Sequence, residues 1–168
     1  MKPVTVESIR EALAAHAPKR ADPTDRMEAA VAIVFAPGAR GALELLFIKR
    51  ASVDGDPWSG QMAFPGGRRD PGDDDLFATS VRETLEETGI DLPRDALLGE
   101  LDDLAPMTPV LPPIFVRPFV FALAARPSVV PSHEVADFLW TDLRALAESA
   151  GTTLVTVRGG QLRAWPNS

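Results

Sequence analysis

The chain contains no cysteine, which removes disulfide staples, thiolate nucleophiles and zinc-thiolate centres together and is compatible with a reducing compartment. Histidine is almost as scarce. The two present, His16 and His133, stand far apart, so neither a histidine metal site nor a histidine-based triad is expected. Positive charge is not in excess: 24 Asp and Glu outweigh 17 Lys and Arg, for a formal net charge of -7. Nucleic-acid backbones and anionic membranes attract basic surfaces, so neither is an expected partner. No apolar run approaches membrane-spanning length, and the opening MKPVTVESIREALAAHAPKR lacks the continuous apolar core of a secretory signal. A soluble, cytoplasmic protein is the expectation.

What is present is an ordinary globular composition, 45% hydrophobic and 24% charged, over a length that suits a single domain spanning 1–168. Val6, Ile9 and Leu13 recur at helical spacing before Pro18 stops the pattern, which gives a flanking helix at about 5–17. AAVAIVFA and LELLFIKR read as buried strands joined through the turn PGARGA, hence a hairpin. QMAFP reads as a short strand, and GGRRDPGD as a loop feeding an acidic helix that ends at Gly89. LLGELDDLA, IFVRPFVFAL and ADFLWT are further strands; TDLRALAES is an inner helix with Thr141 as its cap, and TLVTVRGGQLRAW a terminal hairpin. This order predicts an α/β (α+β) domain, with helices on two faces of a mixed sheet.

On the acidic helix, a turn of 100° per residue places Phe77, Val81, Thr84, Leu85 and Thr88 on one side and Glu83, Glu86 and Glu87 on the other. Like charges three and four residues apart oppose helix formation unless solvent screens them or a cation offsets the repulsion. The spacing alone permits either a solvated face or a cation cage. Gly66 and Gly67 just upstream permit backbone conformations that would expose a carbonyl oxygen to the same cation. Magnesium takes oxygen ligands and keeps waters that substrate phosphates replace, so an incomplete protein cage suits catalysis. Asp73 to Asp75 do not follow the calcium-loop pattern, and helix capping accounts for them better.

The stretch GGRRDPGDDDLFATSVRETLEETGI resembles the signature of the Nudix hydrolases, which cleave diphosphates joined to another group. Arg82, Glu83, Glu86, Glu87 and Gly89 occupy matching positions, followed by the hydrophobic Ile90. Asp73 stands where most of the superfamily has glutamate, with eight residues between it and Arg82, one more than usual. The longer spacing, GQMAFPGG, KRAS, ELDDLAPMTP and HEVADFLWTDLRAL are similar to the branch resembling coenzyme A pyrophosphatases, although Trp58 occupies the place of that branch's histidine.

The resemblance implies the Nudix α/β/α sandwich, a mixed sheet between helices, and a magnesium site, with manganese as an alternative. Its ligands would be Glu83, Glu86, Glu87 and the Gly67 carbonyl, with Arg82 holding a glutamate in position. Cations that neutralise a diphosphate lower the barrier to attack by water. Glu83 and Glu134 are the candidates for the general base. Arg50, Arg68 and Arg69, with Lys49, are candidate contacts to substrate phosphates, and Trp58 is assigned to packing before base stacking. The expected partner is a small nucleotide-type diphosphate, coenzyme A or a derivative first. Nucleoside triphosphates, dinucleoside polyphosphates and nucleotide sugars are the alternatives. A silent nucleotide-binding module is the reading of another class. Oligomeric state stays open, a homodimer being one outcome because such domains often pair.

Overall fold

Strand β1, Met27–Pro37, alternates two kinds of side chain. Ala30, Ala32 and Val34 turn to one face and are fully buried, while Ile33 and Phe35 join a cluster on the other. A strand apolar on both faces belongs at the centre of a layered domain. The computed structural model describes residues 2–56, 59–106 and 112–149 and two further strands at 153–157 and 160–164; Trp58 lies outside the described residues.

Strand β6, Ile114–Ala122, runs parallel to β1 from the Met27–Ile114 pair to the Phe35–Ala122 pair. The remaining pairings are antiparallel. Strand β2, Leu43–Arg50, forms the expected hairpin with β1. It also pairs with β3, Met62–Ala63, and with β7, Val135–Asp142. Strand β4, Gly66–Arg68, adds to β1 at Ala29–Val31, and β5, Leu97–Glu100, to β6. The result is a mixed seven-stranded sheet. Strands β8, Thr153–Val157, and β9, Gly160–Ala164, form the expected terminal hairpin as a separate two-stranded sheet.

Helices cover both faces of the large sheet. Helix α1, Val6–Ala15, starts from a Thr5–Ser8 capping box and rests Ile9 and Leu13 on the cluster of Phe35, Leu45, Phe47 and Val120. Helix α3, Leu143–Ser149, adds Leu143 and Leu146 to the same side. Its first turn is capped by Asp142, whose Oδ1 accepts from the Arg144 amide at 2.8 Å, while Thr141 belongs to β7. The expected Thr141 cap is thereby corrected: Asp142, the residue directly before the helix, is the one whose carboxylate reaches the free amides.

Helix α2, Leu76–Thr88, covers the opposite face with Leu76, Phe77 and Val81 against Phe115, Phe119 and Phe121. Asp75 caps its start and Gly89, at φ 72°, its end. Its inner side takes in Phe77, Val81, Thr84 and Thr88 as expected, but also Thr79, Ser80 and Glu87, and leaves Leu85 out. Thr79, Ser80, Thr84 and Thr88 are wholly buried and Glu87 is 3% exposed, whereas Leu85 is 48% exposed. The hydroxyls of Ser80, Thr84 and Thr88 each bond a carbonyl of the helix itself, at 2.7, 2.7 and 2.6 Å. Polar groups so satisfied are buried at little cost.

Candidate active site

The corner between α2 and β4 depends on two glycines. A Cβ on Gly66 would lie 2.2 Å from the Ala30 carbonyl oxygen, so only glycine lets β4 pair this closely with β1. A Cβ on Gly67 would lie 2.6 Å from Oε1 of Glu83. The Glu83 carboxylate therefore occupies the space that a side chain at 67 would fill. The neighbouring Gly66 amide donates to Oε2 of Glu87 at 3.1 Å. Two carboxylates of α2 are thus seated directly on the Gly66–Gly67 backbone.

Their electrostatics differ from those of a solvated acid. Burial is the largest influence on Glu87 and pushes its carboxyl up to about 7; the Gly66 amide and Arg50 oppose it, while Glu83 and Glu134 reinforce it. Burial also raises Glu83, against the opposing pull of Arg82. Asp73 is the reverse case. Arg82 donates to both of its oxygens at 2.9 Å, the Thr79 hydroxyl and the Asp70 amide add two more bonds, and its carboxyl is held well below the usual carboxylate range. From that anchorage Arg82 reaches Glu83 at 2.9 Å and Glu86 at 3.1 Å, and donates to the Arg68 carbonyl.

A cavity of about 690 Å³ opens over this corner, and Gly67, Glu83, Glu87, Arg50, Arg68 and Glu134 all line it. Glu134 is brought there through the end of α2. The free Glu87 and Thr88 carbonyls accept from the Ser132 and Val130 amides at 3.0 and 2.8 Å, and the Ala51 amide on the other side donates to the Glu134 carbonyl. The Glu134 side chain stays 62% exposed at the rim. Arg50 enters from the end of β2, with Nη2 3.3 Å from Asp56 and a buried Nε that has no hydrogen-bond partner among the described residues.

Three of the expected site residues are placed elsewhere. Glu86 is 58% exposed and turned to Arg82. Arg69 faces a neighbouring cleft, where it pairs with Glu28 and bonds the carbonyls of Asp73 and Asp74. Arg82 sits behind the pocket wall as a clamp between acids. Among the described residues no group of three or more His, Asp and Glu side chains is gathered to hold a metal ion. Convergence of all three helix glutamates is therefore not what the geometry shows; the 100° turn that brings Glu83 and Glu87 inward carries Glu86 to the flank.

Sequence reasoning missed the apolar wall of the cavity, Val31, Phe64, Ile114 and Val116 among its members. These residues read only as strand interior. Asp56 as the partner of Arg50 was also missed, and only the loop chemistry of VDGDP hinted at it.

The donors at this corner are oxygens, and Glu87 is buried against one amide with no ion pair among the described residues. A hard divalent ion matches two carboxylates beside a cavity with room for water. The residues fit magnesium or manganese.

Comparison with known proteins gives the class. A family model for the NUDIX domain matches residues 25–156, and the chain belongs to the Nudix family. An uncharacterized protein of Schizosaccharomyces pombe is 38% identical over 107 residues, 61% of this chain and 32% of that protein. The mitochondrial coenzyme A diphosphatase NUDT8 of Mus musculus is 38% identical over 77 residues, 43% of this chain and 37% of that protein. The chain thus spans about a third of the length of these curated relatives. Among solved structures, the NUDIX domain of Shewanella oneidensis NrtR complexed with ADP ribose aligns at a TM-score of 0.60 and 19% identity, covering 82% of this chain and 85% of that one. The last likeness carries the fold alone.

Proposed function

We propose that this chain is a divalent-cation-dependent hydrolase of a diphosphate linkage in a nucleoside-diphosphate-linked substrate, with coenzyme A or a derivative as the favoured substrate and magnesium as the cation. The observation that carries the reading is Glu87: a carboxylate 3% exposed, held by one amide, without an ion pair among the described residues and lining a cavity large enough for a nucleotide. Substrate choice draws support from the likeness to the coenzyme A diphosphatase NUDT8.

In this reading Glu83, Glu87 and the Gly67 carbonyl hold the cation, and Arg82 fixes Glu83 through its bond at 2.9 Å. When bound, the cation neutralises diphosphate oxygens and favours attack by water at phosphorus. Glu134, with its side chain exposed at the rim, accepts the proton of the attacking water. Glu83 is less suited to that role because Arg82 already engages it. Arg50 offers its Nε, which has no partner among the described residues, to a phosphate oxygen. The apolar wall takes the rest of the substrate.

Mass spectrometry of products from coenzyme A, with and without magnesium, tests the proposal. Magnesium-dependent appearance of two monophosphate products supports it; no cleavage of coenzyme A or of any of a panel of diphosphates contradicts it. The second reading is a nucleotide-binding module without turnover, and the outward turn of Glu86 favours it. That module would bind the panel and release nothing.

A further inference from the structure

We propose that the cleft adjoining the candidate pocket, walled by Arg26 and Arg68, binds a phosphate group of the substrate other than the linkage that is cleaved. The proposal rests on the diphosphate reading above. The cleft has a volume of about 400 Å³ and is lined by Arg26, Met27, Glu28, Arg69 and Asp73 together with Arg68, which also lines the larger cavity. The two spaces follow one another along the same edge: Met27 and Glu28 of β1 line the first, Ala29, Ala30 and Val31 the second. A ligand with its diphosphate beside Glu83 and Glu87 can therefore extend past Arg68 into the cleft.

The chemistry of the cleft favours an anion, because its acids Glu28 and Asp73 are held by arginines while Arg26 and Arg68 form no ion pair among the described residues. Glu28 is paired with Arg69 at 2.9 Å, and both Asp73 oxygens are held by Arg82. Asp70, which also lines the cleft, has Oδ1 bonded to the Gly72 amide at 2.9 Å. By contrast, Arg26 has one bond, at 3.4 Å, to the Asp22 carbonyl. The Arg68 guanidinium has no hydrogen bond or ion pair among the described residues. In a chain of net charge -7, two guanidinium groups on one cleft with no ion pair among the described residues, the Asp22 carboxylate acting on Arg26 only from a distance, are not a general surplus of base. Planar guanidinium donors match phosphate oxygens in geometry as well as charge. The phosphate can be a monoester on the sugar or the end of a longer polyphosphate chain; both present the same dianion.

Isothermal titration calorimetry in divalent-free buffer separates these sources. The ligands are AMP, adenosine 3′,5′-bisphosphate and ADP; the proteins are the parent chain, Arg26→Gln and Arg26→Ala, each checked for folding by circular dichroism. The expected result is that the bisphosphate binds the parent about tenfold more tightly than AMP and that both variants erase the difference. A gain confined to ADP, erased in the same way, assigns the cleft to a polyphosphate chain and equally supports an anion subsite. Equal binding of all three ligands, or a preference that survives both variants, overturns the proposal. Turnover of coenzyme A with magnesium is measured alongside: its absence with the binding preference intact strikes the hydrolase reading and leaves the subsite standing.

Discussion

Two buried carboxylates lie near opposite ends of α2 and have opposite surroundings. Asp73, 9% exposed, accepts four hydrogen bonds, two of them from Arg82. Glu87, 3% exposed, accepts one, from a neutral amide. The first is electrostatically complete and its carboxyl is depressed; the second is incomplete and its carboxyl is raised to about 7. Both are little exposed to solvent, but burial is the leading influence on Glu87 while the bonds from Arg82 lead on Asp73, so depth and partner together decide the outcome. The difference separates a structural acid, which fastens the signature loop to the helix, from one arranged to meet a charge that arrives from outside.

The sharpest way to break this contrast is Glu87→Gln. The substitution is expected to lower magnesium-dependent kcat on coenzyme A by a factor on the order of 10³, measured under saturating substrate, while the fold is kept. Next in size is Arg82→Ala, which strands Asp73 and releases Glu83. Loss of about 3 kcal/mol of unfolding free energy is expected from urea denaturation, because one partner of a largely buried pair is removed. A loss below about 0.5 kcal/mol would make Asp73 an ordinary surface acid.

The pH dependence of stability sharpens the same comparison. A raised carboxyl contributes stability that is full below its unfolded value and is lost as pH rises through its folded value, here about 7. Without divalent ions the protein is therefore expected to lose roughly 2 kcal/mol between pH 5 and pH 8, and Glu87→Gln to flatten that slope. Asp73 has the opposite sign: its depressed carboxyl stabilises the fold above the unfolded value near 3.9 and ceases to do so only as pH falls far into the acid range. Denaturation curves across this range, with and without the substitution, separate the two acids. The smallest effect is expected from Thr79→Val, which removes the 2.9 Å bond from the Thr79 hydroxyl to Asp73 and costs about 1 kcal/mol.

The same contrast shows what the sequence could and could not reveal. The β1–β2 hairpin was readable from apolar runs around PGARGA, and the end of α2 from Gly89, because both signals are local. The helix face was readable only in part: Phe77, Val81, Thr84 and Thr88 lie on the expected side and Leu85 does not. A count of apolar residues turned Leu85 inward and the three glutamates outward together, but Leu85 is 48% exposed while Thr79, Ser80 and Glu87 are buried. Threonine reads as polar in a sequence, and its bond to a carbonyl four residues back is what makes it an interior residue here. The error moved Glu87 from a solvated face to a buried one and left Glu86 outside. Arg69 was indistinguishable from Arg68 by residue type; only the position of Glu28 on β1 separates them. Glu134 was nameable from the chain, yet its place at the rim depends on the Val130 and Ser132 amides, which lie far along the chain from the helix carbonyls they bond.

The central claim is that Glu87, rather than the trio of glutamates as one equal set, governs capture of the divalent cation. Manganese titration followed by electron paramagnetic resonance tests it on the parent chain, Glu87→Gln and Glu86→Gln. The predicted result is that affinity falls more than about tenfold in Glu87→Gln and by a clearly smaller factor in Glu86→Gln. Manganese binding to Glu87→Gln as tight as to the parent would contradict it.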